Sequence, residues 1–175
     1  MKTKIKNKTG QLLTITLAFI LVLTLASNTH AQILNFSGDW KVDTTKTNYG
    51  KAGPFSTPIE MKISQTADTL SIERITRDHL GGIHSYTENL ALNGVSADVL
   101  IRNSVKKQAA IKWSADKKTL VETAQYEDPN APEQYQHYRG TETWTLSGDG
   151  KILAIDRTDD GEDEHDVSKM VYNKQ

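Results

Sequence analysis

Two glutamates, Glu122 and Glu142, are the residues of this 175-residue sequence that first suggest catalysis. Each lies in a stretch that is otherwise apolar or rich in threonine, and two strands can bring such carboxylates together as the acid–base pair of glycoside cleavage. The simpler interpretation is that both side chains lie on an exposed strand face. We therefore predict no catalytic residue and no enzyme activity, and a carboxylate-based hydrolase or isomerase is the alternative.

The other common catalytic and metal-binding groups are absent from the sequence or dispersed along it. There is no cysteine and no Gly-x-Ser-x-Gly motif, so neither of the usual acyl-transfer nucleophiles has a signature here. The histidines after residue 31 stand singly, without the close spacing of a zinc site. These residues are His79, His84, His137 and His165. We predict neither a metal site nor a cofactor.

The densest run of charge extends from Asp159 to Asp166 and holds six carboxylates in eight residues. Oxygen-rich segments can bind calcium, but the EF-hand series of acids at alternate positions before a glycine is missing. We interpret the run as a solvated hairpin loop that its own charge repulsion keeps open.

The first 31 residues have the pattern of a cleavable secretion signal. Four lysines without an acid precede an apolar run of 15 residues, 12–26, and a polar stretch then ends at Ala31. This run is shorter than the ~20 residues of a membrane-spanning helix. We predict cleavage after Ala31 and a periplasmic or secreted protein, which touches the membrane only through the signal peptide before cleavage. An uncleaved anchor is the alternative.

The mature part, residues 32–175, is predicted to be one domain with a mildly acidic composition. It carries 17 Lys and Arg against 22 Asp and Glu. A surface of this charge does not attract phosphate, so nucleic acid is not a predicted partner. Because no disulfide can form, the core alone must hold the fold. A chain of this length can do so, since roughly two-thirds of its unfolded surface is buried on folding.

Alternation of apolar and polar residues dominates the mature part and indicates β-strands with one buried face. Residues 59–64 and 69–73 alternate in this way, and Asn93-Gly94 is a strong hairpin turn. Nine or ten such segments follow one another without a helical crossover. The pattern predicts an all-β fold, an antiparallel up-and-down β-barrel of about 8–10 strands.

Two polar segments lie between these predicted strands. Residues 48–58 hold two glycines and two prolines, and residues 127–134 are bordered by Tyr126, Tyr135 and Tyr138. Loops of this size on a barrel commonly lie at its rim, where they control access to the interior.

A short motif stands at the head of the mature part, Asn35-Phe36-Ser37-Gly38-Asp39-Trp40. It resembles the Gly-x-Trp signature that opens the first strand of lipocalins, and the chain is similar to bacterial lipocalin-like (calycin-type) barrels. The resemblance implies a tight turn at Gly38. It also implies that Trp40 closes one end of the barrel beneath a basic side chain from a late strand, for which Arg157 is the candidate.

The resemblance further implies non-catalytic binding of a small, partly apolar ligand. Trp40, Trp113 and Trp144 occupy inward-facing positions, and with Arg157 they are the candidate ligand-binding residues; a purely structural role is the alternative for the tryptophans. Three Phe and three Met favour a narrow, partly filled interior. The second hypothesis is a solid-core envelope module that binds an unknown protein through its rim loops, 48–58 and 127–135.

Overall fold

The structure is a computed structural model that describes residues 34–101, 104–133, 136–161 and 165–175. The predicted signal peptide with its cleavage site, Tyr135, and residues 162–164 of the acidic run lie outside the described residues. Within the described part of the chain, no helix is long and apolar enough to cross a membrane.

Ten antiparallel strands form one sheet, in which consecutive strands pair with each other except β4 and β5, and the first strand also pairs with the last. The strands are β1 (Gly38–Val42), β2 (Glu60–Gln65), β3 (Thr69–Arg77), β4 (Ile83–Ala91), β5 (Ala97–Ile101), β6 (Val105–Trp113), β7 (Leu120–Glu127), β8 (His137–Leu146), β9 (Ile152–Asp160) and β10 (His165–Lys174). The sheet is rolled into a nearly closed up-and-down barrel, which confirms the predicted fold class.

The alternation of side chains gives the barrel interior a layered composition. Along β3 the buried side chains are Leu70 and Ile72, then Arg74 and Thr76. The same change from apolar to charged occurs along β4, β6, β8 and β9, because successive inward residues lie two positions apart and move steadily from one end of the barrel to the other. An apolar core therefore fills one end, and charged side chains cross the middle.

The two ends of the barrel differ in their connections. The end that we term the closed end has the tight turns 66–68, 114–119 and 147–151. Its core is built around Phe36, Trp40, Trp113 and Trp144. The opposite end, termed the open end, carries the long connections 43–59 and 128–136. The predicted rim loops thus lie together at one end.

Trp40 closes one end of the barrel as the resemblance implies. Its indole Nε1 donates a hydrogen bond to the Phe36 carbonyl at 2.9 Å, and the Lys174 Nζ lies 5.3 Å from the centre of its ring. Gly38 has a φ of 143°, and a Cβ there would lie 2.5 Å from Lys174 Cε. The glycine therefore permits both this positive φ and the approach of the lysine.

The prediction that Arg157 covers Trp40 is wrong. Trp40 pairs across the sheet with Lys174, whereas Arg157 pairs with Ser168, six residues earlier on β10. Six strand residues span roughly 20 Å, so Arg157 lies far from the closed end. Its guanidinium lies instead over the ring of Tyr126, at 5.5 Å.

Replacing Trp40 with phenylalanine tests the importance of the indole hydrogen bond. The substitution leaves the buried Phe36 carbonyl without its donor, so we expect a loss of about 1–2 kcal/mol of unfolding free energy. Trp113→Phe is the matched control, because Trp113 is only half-buried and donates no hydrogen bond to another described residue. Urea denaturation measures both. Equal losses in the two variants would contradict a special role for Trp40.

The seam between the edge strands β4 and β5 is closed by main-chain contacts only near the closed end. There the Gly94 N–H donates to the Ile111 carbonyl at 3.0 Å, and Asn93 forms an antiparallel bridge with Lys112 on β6. Farther toward the open end, β4 and β5 form no ladder with each other among the described residues. Side chains make the connection in that region, as described next.

Candidate functional site

A layer of seven charged side chains crosses the barrel interior. We term it the ion layer. Its members are Arg74, Glu88, Lys107, Glu122, Glu142, Arg157 and Asp159. They occupy inward-facing positions on six strands, and five of them are almost completely buried. Arg157 and Asp159 are the exceptions, with side chains 19% and 22% exposed.

Arg74 is the centre of the ion layer. Its Nη2 donates to Glu122 and to Glu142, each at 2.9 Å, and its Nε donates to Glu88 at 3.3 Å. One guanidinium thus binds carboxylates from β4, β7 and β8. The same group lies 5.3 Å from the ring centre of Trp144, so the ion layer rests on the apolar core of the closed end.

Lys107 connects the two sides of the seam. Its Nζ donates to Glu88 on β4 at 2.6 Å and also to Glu122 on β7. Because β4 and β6 are not hydrogen-bonded neighbours, this ion pair joins strands that the main chain leaves apart. The ion layer therefore closes the barrel electrostatically where the ladder is open.

The prediction that Glu122 and Glu142 lie on an exposed strand face is wrong. They are cross-strand partners with both side chains directed inward, 1% and 3% exposed. Each carboxylate oxygen accepts a hydrogen bond from Arg74, Arg157, Lys107 or Trp144. The carboxylates do converge, as a carboxylate-based enzyme would need, but neither is held open to a substrate.

The two facing glutamates have opposite pKa shifts. Burial alone would raise the pKa of Glu142, but Arg74, Arg157 and Lys107 outweigh it and hold this pKa at about 2. For Glu122, burial raises the pKa by more than Lys107 lowers it, and the negative charges of Glu88 and Glu142 act in the same direction as burial. The ion layer holds three cations and four carboxylates, and Glu122 is the carboxylate whose negative charge its surroundings disfavour.

A cavity of about 390 Å³ lies between the ion layer and the open end. Arg157 and Asp159 of the ion layer line it, together with Tyr138 on β8. Strand β10 contributes Ser168 and Met170. The connection 43–59 contributes Tyr49, Lys51, Ala52, Ser56 and Thr57. We term this space the open-end cavity.

A bidentate ion pair stands at the base of the open-end cavity. Arg157 donates from Nε and Nη2 to the two oxygens of Asp159, at 2.7 and 2.9 Å, and from Nη1 to Glu142 at 3.2 Å. Gly140 makes room for the pair, because a Cβ at this position would lie 2.8 Å from Asp159 Oδ1. The rings of Tyr126 and Tyr138 stack beside it at 4.5 Å.

The connection 43–59 is fastened to β10 at the rim of the cavity. Asn48 and Lys169 exchange two main-chain hydrogen bonds of 2.8 Å. The Asp166 carboxylate accepts the N–H groups of Lys51 at 3.0 Å and Ala52 at 3.2 Å. These contacts hold the connection against β10, so the wall of the cavity is built into the fold.

These contacts also correct the interpretation of the acidic run as one solvated loop. Strand β9 continues to Asp160 and β10 begins at His165. Asp159 then points into the barrel and Asp166 binds the rim connection. The sequence does not distinguish Asp159 and Asp166 from the other acids of the run, whereas the strand register gives these two residues different contacts. Among the described residues, no group of three or more His, Asp or Glu is placed to hold a metal ion.

The four predicted ligand-binding residues fall into two separate places. Trp113 and Trp144 pack against Phe36 in the closed end, with ring centres 6.0 and 6.2 Å away, and Trp40 is buried there too. None of the three tryptophans lines the open-end cavity, whereas Arg157 does. No family model and no curated protein matches this chain. The assignment of the site therefore rests on the geometry alone.

Sequence reasoning missed Arg74, Glu88 and Lys107. Their positions in the apolar–polar alternation could have revealed two of them. Arg74 lies two residues after Ile72 and four after Leu70, and Glu88 lies two residues before Leu90, so each occupies an inward-facing position of its strand. A charged residue in phase with buried apolar residues indicates an inward-facing ion, which needs a partner of opposite charge on another strand.

Proposed function

We propose that this protein is an exported, lipocalin-like binding protein that holds a small, partly apolar molecule in the open-end cavity without transforming it. The observation that carries the proposal is the cavity itself, which is set above the ion layer and walled by a fastened connection. A periplasmic or extracellular location is part of the proposal and depends on the predicted signal peptide.

The size and lining of the open-end cavity support ligand binding. Its volume of about 390 Å³ is within the range of small-molecule sites, roughly 300–1,000 Å³. Such sites combine apolar walls with a few oriented polar groups. Met170 and the ring of Tyr138 supply apolar surface here, and the pair of Arg157 and Asp159 supplies polar groups that are held rigidly from below.

The state of the nearby carboxylates favours binding over catalysis. A general acid or base works best with a pKa near the ambient pH and with access to substrate. The pKa of Glu142 is about 2 and its side chain is buried. Asp159 lines the cavity, but both of its oxygens are already bonded to Arg157.

A second candidate, a protein-interaction module, is supported by exposed apolar side chains at the open end. Phe55 is 50% exposed, Leu80 84%, Ile83 55% and Val167 54%. All four lie on connections or strand ends at the open end, where a partner protein could cover them. This candidate uses the outer rim rather than the cavity.

An Ala52→Trp substitution tests the proposed binding site. Ala52 is exposed and lines the cavity, so an indole there obstructs the cavity without disturbing the core. We expect native mass spectrometry of the protein isolated gently from the envelope of its own host to show an added small-molecule mass. That mass should be lost in the Ala52→Trp variant.

Ala115→Trp is the matched control, because Ala115 is an exposed residue in the turn 114–119 at the closed end. It should keep the added mass. A small-molecule mass retained by both variants would contradict the cavity as its site. A bare mass for the unmodified protein would contradict the proposal, and an added polypeptide mass would favour the interaction module.

A further inference from the structure

We propose that the open-end cavity selects an uncharged ligand with several hydroxyl groups, and that its ligand class is a saccharide. This inference rests on the proposed binding function and narrows it. Three features of the cavity carry it: paired charges, buried hydroxyls without partners, and an apolar surface beside them.

The charged groups that line the cavity already have hydrogen-bond partners, and the Lys51 ammonium donates to the main-chain carbonyl of His165 at 3.3 Å. Arg157 is bonded to Asp159 and Glu142, as described above, and Asp166 accepts main-chain N–H groups of Lys51 and Ala52. The described residues of the lining include two cations and two carboxylates, so their charges balance. An ionised ligand would give up its hydration and gain no unpaired opposite charge in return, whereas an uncharged ligand does not incur this cost.

Two buried hydroxyl groups face the cavity without a partner. Thr57 is 4% exposed and Ser168 is 9% exposed, and neither side chain forms a hydrogen bond with another described residue. Every fully inaccessible side-chain nitrogen or oxygen of the described, non-exposed residues has a partner. The hydroxyls of Thr57 and Ser168 are therefore reached from the cavity that both residues line.

Tyr138 adds a third hydroxyl to the lining, likewise without a partner among the described residues. Burial raises the pKa of Tyr138, so its hydroxyl keeps its proton at neutral pH and can donate. Hydroxyl groups both donate and accept. A lining of this kind suits a ligand whose polar groups are hydroxyls.

The paired charges can also bind hydroxyl groups. A guanidinium has five N–H groups, and three of those of Arg157 are engaged, so two remain. Each Asp159 oxygen accepts one of these bonds and keeps acceptor capacity. A pyranose ring matches this arrangement, because neighbouring hydroxyls can accept from Arg157 and donate to Asp159 while its C–H groups pack on Met170 and the tyrosine rings.

Saturation-transfer NMR tests the inference with defined probes. Three uncharged sugars, D-glucose, D-galactose and N-acetyl-D-glucosamine, are each compared with sodium octanoate, an anion with a long apolar chain. We expect saturation of at least one sugar and a loss of its signal in the Ala52→Trp variant. Octanoate should give the same signal, or none, with the unmodified protein and with the Ala52→Trp variant.

Two near-isosteric variants separate hydroxyl recognition from simple filling of the cavity. Thr57→Val and Ser168→Ala should each weaken binding of the saturated sugar about 3- to 10-fold, the range of one net hydrogen bond. Ser64→Ala, on the exposed face of β2, should leave the affinity unchanged. Chemical denaturation of each variant shows whether it is folded before its binding is measured.

The outcomes distinguish this inference from the proposed function. Saturation of octanoate but not of the sugars, abolished by Ala52→Trp, would overturn the inference and leave the cavity as a binding site. Unchanged sugar affinity in both the Thr57→Val and Ser168→Ala variants would overturn it too. Absence of saturation for all four probes would also overturn it, while the native mass measurement decides the proposed function independently.

Discussion

Replacing Arg74 with methionine should lower the free energy of unfolding by about 3–5 kcal/mol, the usual cost of removing one partner from a buried ion pair. The substitution keeps most of the side-chain volume but leaves Glu88, Glu122 and Glu142 without their shared cation. Their negative charges then lie together in the interior with only Lys107 and Arg157 to balance them. Urea denaturation at pH 7 measures the loss.

Arg77→Met is the matched control for Arg74→Met, because Arg77 is an exposed residue of the same strand. We expect it to change the unfolding free energy by less than about 0.5 kcal/mol. Moderate acidification should narrow the deficit of Arg74→Met relative to the unmodified protein, since protonation removes the unbalanced charges. A similar, small cost for both substitutions would contradict the ion layer.

The facing glutamates should respond differently to replacement by glutamine. We expect Glu142→Gln to cost about 2–3 kcal/mol at pH 7, because a neutral amide replaces a buried carboxylate that accepts charge-assisted hydrogen bonds from two arginines. Glu122→Gln should cost less than Glu142→Gln, because burial and the neighbouring carboxylates raise the pKa of Glu122 and make the loss of its charge less unfavourable. The two variants are measured by the same urea titration.

The pH dependence of stability should distinguish the same two residues. The pKa of Glu142 falls from an ordinary 4.5 to about 2 in the folded protein, so its contribution is present above pH 4.5 and is lost as the pH falls toward 2. The difference between the unmodified protein and Glu142→Gln should shrink over this range. Glu122 has a raised pKa, so its ionisation lowers stability as the pH rises above 4.5, and Glu122→Gln removes this effect.

Equal losses for the two glutamine variants at pH 7, with the same pH dependence, would contradict this assignment of the charges.

Buried ion pairs are in general no more stabilising than well-packed apolar groups, but the loss of one partner from such a pair is strongly destabilising. We therefore expect the ion layer to fix the spacing of β4, β6, β7 and β8 around the lumen, a role that matters most along the open seam.

The fold was predictable because its signal is local. Alternation over five or six residues identifies each strand, and short turns such as Asn93-Gly94 predict antiparallel neighbours. The Gly38 and Trp40 motif is also local, and it correctly indicated which residue closes one end of the barrel. Its basic partner was assigned wrongly, because the choice between Arg157 and Lys174 depends on register across β9, β10 and β1.

The site was not predictable because its contacts are long-range. Arg74 binds carboxylates 48 and 68 residues away, and the main chain of Lys51 binds Asp166 across 115 residues. In the sequence, each of these charged residues resembles an exposed residue of an amphipathic strand. The buried phase of Arg74 and Glu88 was visible, but which strands face each other across the lumen follows only from closure of the barrel.

The methionine methyl groups report most directly on the proposed occupation of the open-end cavity by a small molecule. Met170 lines the cavity, and Met61 is completely buried in the core, so one labelled sample contains both the reporter and its control. We predict that adding the small-molecule extract of the host envelope shifts the ¹³C-methyl NMR signal of Met170 and leaves that of Met61 in place. An unmoved Met170 signal, or a shift confined to Met61, would contradict the account.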